Sequence, residues 1–588
     1  MRAGKMVLLA RCWTIAASQA ILLSSAAVAA SQIQQQYQFK TSLGDDIDIP
    51  QVNAPEQYGR FLHITDMHLD PHYREGAPIE NSCHDHDKLD PLHPRRKMGD
   101  GIAGKYGAPG SGCDSPPLLI NETVRFISDV LLKEKEGLDF VIWTGDSARH
   151  DSDGKIVRTQ KEVYNLNTIA VEQLTAALGN TGSHKRRIPI VPNIGNNDIY
   201  PHNELAYHNH KSNPTLDFYA KLWSDFIPDN QIEEFRRHGS FAVPIRPNLL
   251  VVSLNTMYLS DANRAVKDCR ASEEFWKSKA AGDHVLLWLE KVLKKAKKDG
   301  AGVYIIGHVP PNPLNYYDTC YEKFAQLMVT YDNVVGQLYG HMNVDHHFFP
   351  SISNSVGGGG DDKDRKHKAQ SAQSTAELKA IMPDFSQPVM VPQTASGQMS
   401  TMIPSWVNLY YHYLLAHYKH FAHHHIKDPS EIIPFPVFVA PSVVPTFNPA
   451  IRTFTYYRGG PSSPSPSKHT RKPKPHKPYP GTLTGFTQFY ADITHFNSHP
   501  LTTNHEFPGY LYQKSYTPAK DYKFGEGRCE LDDWLLFGGR ITGVRTGKKE
   551  AERLRKRFAK NLVVRLEGVD VKGGVDVKGF GERAEGSV

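Results

Sequence analysis

Long apolar runs are scarce in this chain of 588 residues, and after residue 30 no stretch is apolar for long enough to span a bilayer. Cysteine is also sparse, with 6 in all and no Cys-x-x-Cys pair, which argues against a cysteine-based structural zinc cluster. Neither sign of charge dominates: the net charge of +6 and a pI near 8.7 give only a mild preference for a polyanionic partner, and no nucleic-acid partner is expected. What is abundant is loop-forming residue and histidine. With 40 Pro, 45 Gly and a mean hydropathy of −0.47, the expectation is an ordered enzyme-sized domain carrying long excursions. The 29 His would raise the positive charge considerably in an acidic compartment, which suits a polyanion handled there.

The amino terminus carries Arg2, Lys5 and Arg11, then an uncharged run from Cys12 to Ala30 that ends Ala26-Ala27-Val28-Ala29-Ala30. The small residues fit a cleavable signal peptide, and the length with its basic flank fits an uncleaved signal anchor; either places the rest outside the cytosol. In an oxidising lumen Cys83 with Cys113 and Cys269 with Cys320 close the shortest loops, which leaves Cys529 odd. Asn121-Glu122-Thr123 is a glycosylation sequon in such a topology.

The stretch around which the rest is organised is Phe61 to Asp70. A strand-like run ends in Asp66-x-His68, so a carboxylate and an imidazole two residues apart leave the strand end on the same side. Four similar strand ends follow: Gly145-Asp146, Gly195-Asn196-Asn197-Asp198, Gly307-His308 and Gly340-His341-Met342-Asn343. One Asp-x-His is weak, since a turn Asp beside a surface His is common. Five strand ends that each finish on a metal-competent side chain, four of them behind a Gly, are hard to obtain by accident.

Between these strands, helical apolar spacing covers about 118–134, 159–179 and 283–298, the last closing on Lys294, Lys295, Lys297 and Lys298 before Gly300. Strands alternating with helices imply an α/β layered core. The organisation read from the chain is a short amino-terminal piece (1–11), the apolar segment (12–30), a polar lead-in (31–57) and a main domain (58–457) with a low-complexity insertion at 353–379. A basic Pro-rich loop (459–480), a C-terminal module (482–545) and a basic, Gly-rich tail (546–588) with a tandem Gly-Val-Asp-Val-Lys-Gly complete it. The block His412 to His425, crowded with His and Tyr, reads as an exposed helix.

Two divalent cations about 3.5–4 Å apart need a shared carboxylate with N and O ligands on both sides, and such pairs drive in-line displacement at phosphorus. The order of residues resembles the calcineurin-like metallophosphoesterase superfamily, with its D-x-H, G-D, G-N-H-D/E, G-H and G-H-x-H motifs. That resemblance implies an αββα core of two packed mixed sheets flanked by helices. It also implies that Asp66 and His68 hold one metal, that Asp146 bridges, and that Asn196, His308 and His341 hold the other, with Asn343 as a further ligand. The metals could be Mn, Co, Zn, Mg or Fe. Two positions depart from the superfamily pattern: Asn197 stands where a His usually follows the ligand Asn, and Asn343 where the last motif usually ends in His. An amide can ligate a hard cation through oxygen but cannot act as an acid.

The leaving-group proton must then come from elsewhere. His150, four residues after Asp146, stands where the acid-sphingomyelinase branch places a catalytic His, and His202 is the reserve donor. Both departures, with HITDMHLDPHY, TGDSARHDSD, GNNDIYPHN and YGHMNVDHHFF, are similar to the fungal vacuolar endopolyphosphatase family over about 58–350 and again through 443–454. Members are type II membrane proteins of the vacuole whose lumenal phosphoesterase domain cuts inorganic polyphosphate internally. The resemblance therefore favours the uncleaved anchor, with His150 and Asn197 in the catalytic set and Arg149, His72 and His202 holding neighbouring phosphates. Two rivals remain: a sphingomyelinase-like phosphodiesterase, against which the short polar lead-in at 31–57 counts, and a polyphosphate-binding protein that has lost catalysis, motivated by Asn197 and Asn343.

Overall fold

The computed structural model describes residues 57–85, 101–180, 187–208, 212–271, 279–350, 405–427, 436–459, 480–525 and 527–565. The apolar segment at 12–30, the 353–379 insertion, the Pro-rich loop up to 479 and the tandem repeat lie outside the described residues.

The described strands are β1 (Tyr58–Ile64), β2 (Phe140–Trp143), β3 (Ile190–Pro192), β4 (Phe241–Arg246), β5 (Leu249–Ser253), β6 (Gly302–Ile306), β7 (Val334–Tyr339), β8 (His346–Phe348), β9 (Val437–Val439), β10 (Ala450–Tyr457), β11 (Leu483–Ala491) and β12 (Tyr512–Tyr516). The longer helices are α1 (Pro117–Phe126), α2 (Gln160–Ala177), α3 (Pro214–Leu222), α4 (Ala281–Asp299), α5 (Asp318–Thr330), α6 (Ser405–Lys427), α7 (Leu531–Ile541) and α8 (Lys548–Leu562).

The strands form two mixed sheets, β12-β11-β10-β1-β2-β3 and β4-β5-β6-β7-β9-β8. In the first, β1, β2 and β3 run parallel and β10 lies antiparallel to β1; in the second, β5, β6 and β7 run parallel. The parallel strands read as near-continuous apolar runs because both faces are covered: every residue of β2 and β6 is buried. Side-chain alternation along β1 sends Phe61 inward, where its ring centroid lies 5.4 Å from that of Tyr304 on the second sheet, and Leu62 outward. The outer face of the first sheet packs on Leu119, Ile120 and Phe126 of α1 and Leu166 and Leu174 of α2. Leu286, Leu289 and Leu293 of α4 join the core of the second. This is the αββα layering expected of the superfamily.

Local signals account for the helix ends. Thr159 caps α2 by accepting from the Glu162 N–H, and α4 stops at Gly300, whose positive φ of 73° lets its N–H return to Ala296 and Lys297. The helix expected at about 118–134 is α1 followed by a π-helical turn, Ile127–Leu131. The stretch 482–545 supplies β11 and β12 to the first sheet, so its strands continue the core. One expectation is corrected: α6 buries one face, where Tyr410, Leu414, Tyr418 and Phe421 join the core and Tyr418 packs on Phe537 of α7 and Phe558 of α8. Cys83–Cys113 and Cys269–Cys320 are disulfides, and Cys529 is unpaired and buried. The sequon asparagine Asn121 is exposed within α1.

Candidate metal centre

Parallel pairing places the carboxyl ends of β1, β2, β3, β6 and β7 where their loops can meet. β1 runs into Asp66 and His68, β2 into Asp146, β3 into Asn196, β6 into His308, and β7 into His341 and Asn343. Five of these non-glycine residues sit in the left-handed region, with φ of 50° at Asp66, 41° at His68, 57° at Asp146, 73° at His341 and 56° at Asn343. Each such conformation costs on the order of 1 kcal/mol for a residue with a Cβ. Strain gathered this closely marks a site whose side-chain directions matter more than backbone comfort. The glycines beside them are needed for close approach. A Cβ on Gly145 would stand 2.6 Å from the Gly195 nitrogen, and one on Gly195 would stand 2.0 Å from Asp146 Oδ1.

Two buried groups of ligand atoms result, Asp66–His68–Asp146 and Asp146–His308–His341, with the atoms in each within 4.8 Å of one another and Asp146 common to both. His68 donates its Nδ1 proton to the Ala148 carbonyl at 3.1 Å, which turns Nε2 toward Asp66 Oδ1 at 3.7 Å and Asp146 Oδ2 at 3.4 Å. His308 likewise donates Nδ1–H to the Thr144 carbonyl at 2.8 Å, leaving Nε2 2.8 Å from Asn196 Oδ1 and 3.2 Å from Asp146 Oδ2. His341 Nδ1 lies 2.9 Å from the same Asn196 oxygen. A backbone carbonyl that fixes the tautomer of a histidine and aims its other nitrogen is the support metal-binding imidazoles need. Asn343 Oδ1 is buried without a hydrogen-bond partner. A buried, orphaned amide oxygen two residues after His341 is a donor suited to a hard cation, so these residues fit a pair of divalent ions.

The protonation pattern has the same cause. Burial would push the Asp146 carboxyl up, but His308 and His68 hold it well below the usual range. Burial would lower His308, and the Asp146 carboxylate instead raises it to about 9; His68 is also raised, by Asp66, Asp146 and Asp114 against burial. The carboxylates that raise these imidazoles are the same charges that would draw cations to the site.

Asp198, whose role the motif did not reveal, ties the loops together. Its carboxylate accepts from the N–H groups of Asp146 (2.7 Å), Ser147 (2.8 Å), Ala148 (3.2 Å) and Gly195 (2.9 Å), and from Asn167 Nδ2 at 3.1 Å. Burial and the Asp146 charge push it up, while these N–H donors favour its ionised form. Asn197 donates its N–H to Asp146 Oδ1 at 2.8 Å and its amide Nδ2 to Oδ2 at 2.9 Å, so it touches the shared carboxylate.

His150 stacks on His68 with ring centroids 4.0 Å apart, and Asp114 accepts both its N–H, at 2.8 Å, and its Nδ1 proton, at 2.6 Å. Burial would raise the Asp114 carboxyl, but His150 and His68 hold it below the usual range. Asp114 had no motif to announce it; it stands next to Cys113, whose disulfide to Cys83 anchors this loop. His202 Nε2 accepts from Asn196 Nδ2 at 3.0 Å, and its ring is lowered to about 4, chiefly by burial. It thus orients Asn196, a candidate ligand, as a neutral imidazole. Arg149 is buried, with its guanidinium held by Glu162 at 2.7 Å and by the carbonyls of His150 and Ile156. His72 meets the same Glu162 at 3.1 Å. Arg149 and His72 therefore belong to one Glu162-centred cluster, whereas His202 adjoins the ligands.

Residues 59–345 match the family model described as Calcineurin-like phosphoesterase. Curated endopolyphosphatases are similar over longer or comparable stretches. That of Cryptococcus neoformans var. neoformans serotype D is 36% identical over 421 residues, 68% of this chain and 58% of the relative. That of Saccharomyces cerevisiae is 39% identical over 301 residues, 50% of this chain and 41% of the relative, and that of Schizosaccharomyces pombe 36% over 297 residues, 50% and 48%. The chain thus spans about half the length of the curated relatives it matches. By its matched domain the chain is similar to the calcineurin-like phosphoesterases over residues 59–345, and among curated proteins it is similar to fungal endopolyphosphatases.

Proposed function

We propose that this chain is an endopolyphosphatase that hydrolyses internal phosphoanhydride bonds of inorganic polyphosphate at a dimetal centre. The observation that carries the reading is the convergence of Asp66, His68, Asp146, Asn196, His308, His341 and Asn343 from five strand ends, with Asp146 common to both ligand groups. When bound there, two divalent cations acidify water and neutralise phosphoryl oxygens. Asp146 holds its position through Asn197 and Asp198, Asn196 through His202, and His308 through Thr144. His150, oriented by Asp114 and stacked on His68, is the group placed to hand over a proton where the departing oxygen needs one.

Polyphosphate as the substrate is supported by the similarity to fungal proteins named endopolyphosphatases. A lumenal placement in the vacuole, behind an uncleaved amino-terminal anchor, is the companion proposal; two disulfides and the apolar run at 12–30 support it. Among the described residues no helix is long and apolar enough to cross a membrane.

Incubating the full chain with long-chain polyphosphate and Mn²⁺, then resolving the products on a gel, tests the reading. Mid-length fragments are expected, and Asp146→Asn abolishes them. An unshifted ladder with retained binding would identify a protein that has lost catalysis. Turnover of phosphodiesters alone would identify a sphingomyelinase-like enzyme.

A further inference from the structure

Arg158 lies in the loop between β2 and α2, outside every motif of the superfamily pattern, and is 3% exposed. Its Nη1 donates to the carbonyls of Arg149 and Asn197, both at 2.9 Å, and reaches Asn197 Oδ1 at 3.4 Å. Its Nε and Nη2 are buried without a hydrogen-bond partner. Among the described residues no carboxylate stands at ion-pair distance from it; Asp151, Asp146 and Asp198 act on it electrostatically without such contact. A buried guanidinium is costly unless a carboxylate neutralises it at contact, and this one keeps its charge unneutralised behind Asn197.

That placement orients Asn197. The amide oxygen faces the cation, and the amide nitrogen donates to Asp146 Oδ2 at 2.9 Å. Turned over, the amide would set N–H against guanidinium and oxygen against carboxylate. Asn197 occupies the position where the superfamily pattern has a histidine able to give a proton. At this position the chain has instead an amide that cannot, backed by a charge that is present at every working pH, so a proton for a departing oxygen is left to His150 beside His68.

The difference matters for what can depart. In the cleavage, water adds its oxygen to the attacked phosphorus and loses a proton to solvent. The P–O bond to the bridging oxygen breaks with its electron pair left on the departing group. A polyphosphate end departs as a stable, multiply charged anion and needs neutralising charge more than a proton. An alkoxide needs the proton.

Resting on the hydrolase reading above, we propose that Arg158, a positioning residue acting through Asn197, sets the preference of this site for phosphoanhydrides by supplying fixed positive charge where related sites supply a proton.

The test compares Arg158→Gln and Arg158→Lys in the full Mn²⁺-loaded chain on two substrates, long-chain polyphosphate and bis(p-nitrophenyl) phosphate, whose departing phenolate carries a single charge. Melting temperature and Mn²⁺ titration establish that each variant is folded and loaded. Arg158→Gln is expected to lose about a hundredfold in kcat/KM on polyphosphate and about tenfold on the diester, so that the preference falls about tenfold. Arg158→Lys keeps the charge and is expected to retain that preference within about threefold, which decides the matter even if the glutamine variant does not fold. Equal losses on the two substrates, no loss in Arg158→Gln, or collapse of the preference in a folded Arg158→Lys would each overturn the inference. A wild-type chain that cleaves the diester and not polyphosphate would instead overturn the endopolyphosphatase reading itself.

Discussion

Replacing Asp198 by Asn changes one oxygen to NH₂ and leaves shape almost untouched, so it isolates what the charge does. At present Oδ2 accepts the N–H groups of Asp146 and Gly195, and Oδ1 those of Ser147 and Ala148 and the amide of Asn167. Whichever way the new amide turns, at least two N–H donors face NH₂ instead of a carboxylate oxygen. Hydrogen bonds to a charged acceptor are worth roughly 1.5–3 kcal/mol each, so the loss is about 3–6 kcal/mol. Against a total stability of about 5–15 kcal/mol that is severe, and the melting temperature should fall by on the order of 10 °C. Because at least one of the bonds lost joins the loop carrying Asp146 to the loop carrying Asn196 and Asp198, Mn²⁺ affinity should fall by about 10–100-fold as well. Calorimetry and Mn²⁺ titration of the purified chain measure both. A melting temperature within about 2 °C of wild type, together with Mn²⁺ affinity within about threefold, would refute the claim that Asp198 sets the spacing of the ligand loops.

Asn343→Ala removes the buried amide oxygen that no protein group satisfies, so Mn²⁺ binding should weaken by about tenfold or more while the melting temperature of the metal-free chain is unchanged or higher; a titration indistinguishable from wild type would remove Asn343 from the ligand set. His84, buried between Asp70 at 2.7 Å and Asp153 at 2.6 Å, is lowered by burial but raised overall by these carboxylates. A group raised above its unfolded value stabilises fully below about pH 6.5 and loses that contribution as pH rises through its folded value. His84→Gln should therefore cost more stability in urea titrations at acidic than at alkaline pH, and an equal cost at both would contradict the assignment. Cys269 and Cys320 close a loop with a separation of 51 residues, so the double serine variant should lose about 4 kcal/mol in chemical denaturation. A loss under about 1 kcal/mol would show that packing around α4 already fixes this loop.

How much of this was legible beforehand follows from where the signals lie. Asp66, His68, Asp146, Asn196, His308, His341 and Asn343 could be read because each ends an apolar strand, and parallel pairing brings such ends together without further information. Asp114, Asp198 and Arg158 could not be assigned roles, since each acts across loops whose meeting depends on tertiary packing. Asp114 reaches His150 from a loop anchored by Cys83–Cys113, and Arg158 reaches Asn197 over 39 residues. Arg149 shows the reverse: its charge suggested phosphate, and only the fold reveals that Glu162 holds it. The α6 helix, whose His and Tyr look polar in sequence, buries one face because aromatic rings of α7 and α8 cover the apolar bodies of Tyr411 and Tyr418.

Anomalous scattering from crystals of the chain grown with Mn²⁺ would test the central claim most directly. Two manganese peaks about 3.5–4 Å apart are predicted, one beside Asp66 and His68 and the other beside Asn196, His308 and His341, with the Asp146 carboxylate between them. A single peak, or peaks held by other residues with Asp146 bound to neither, would contradict it.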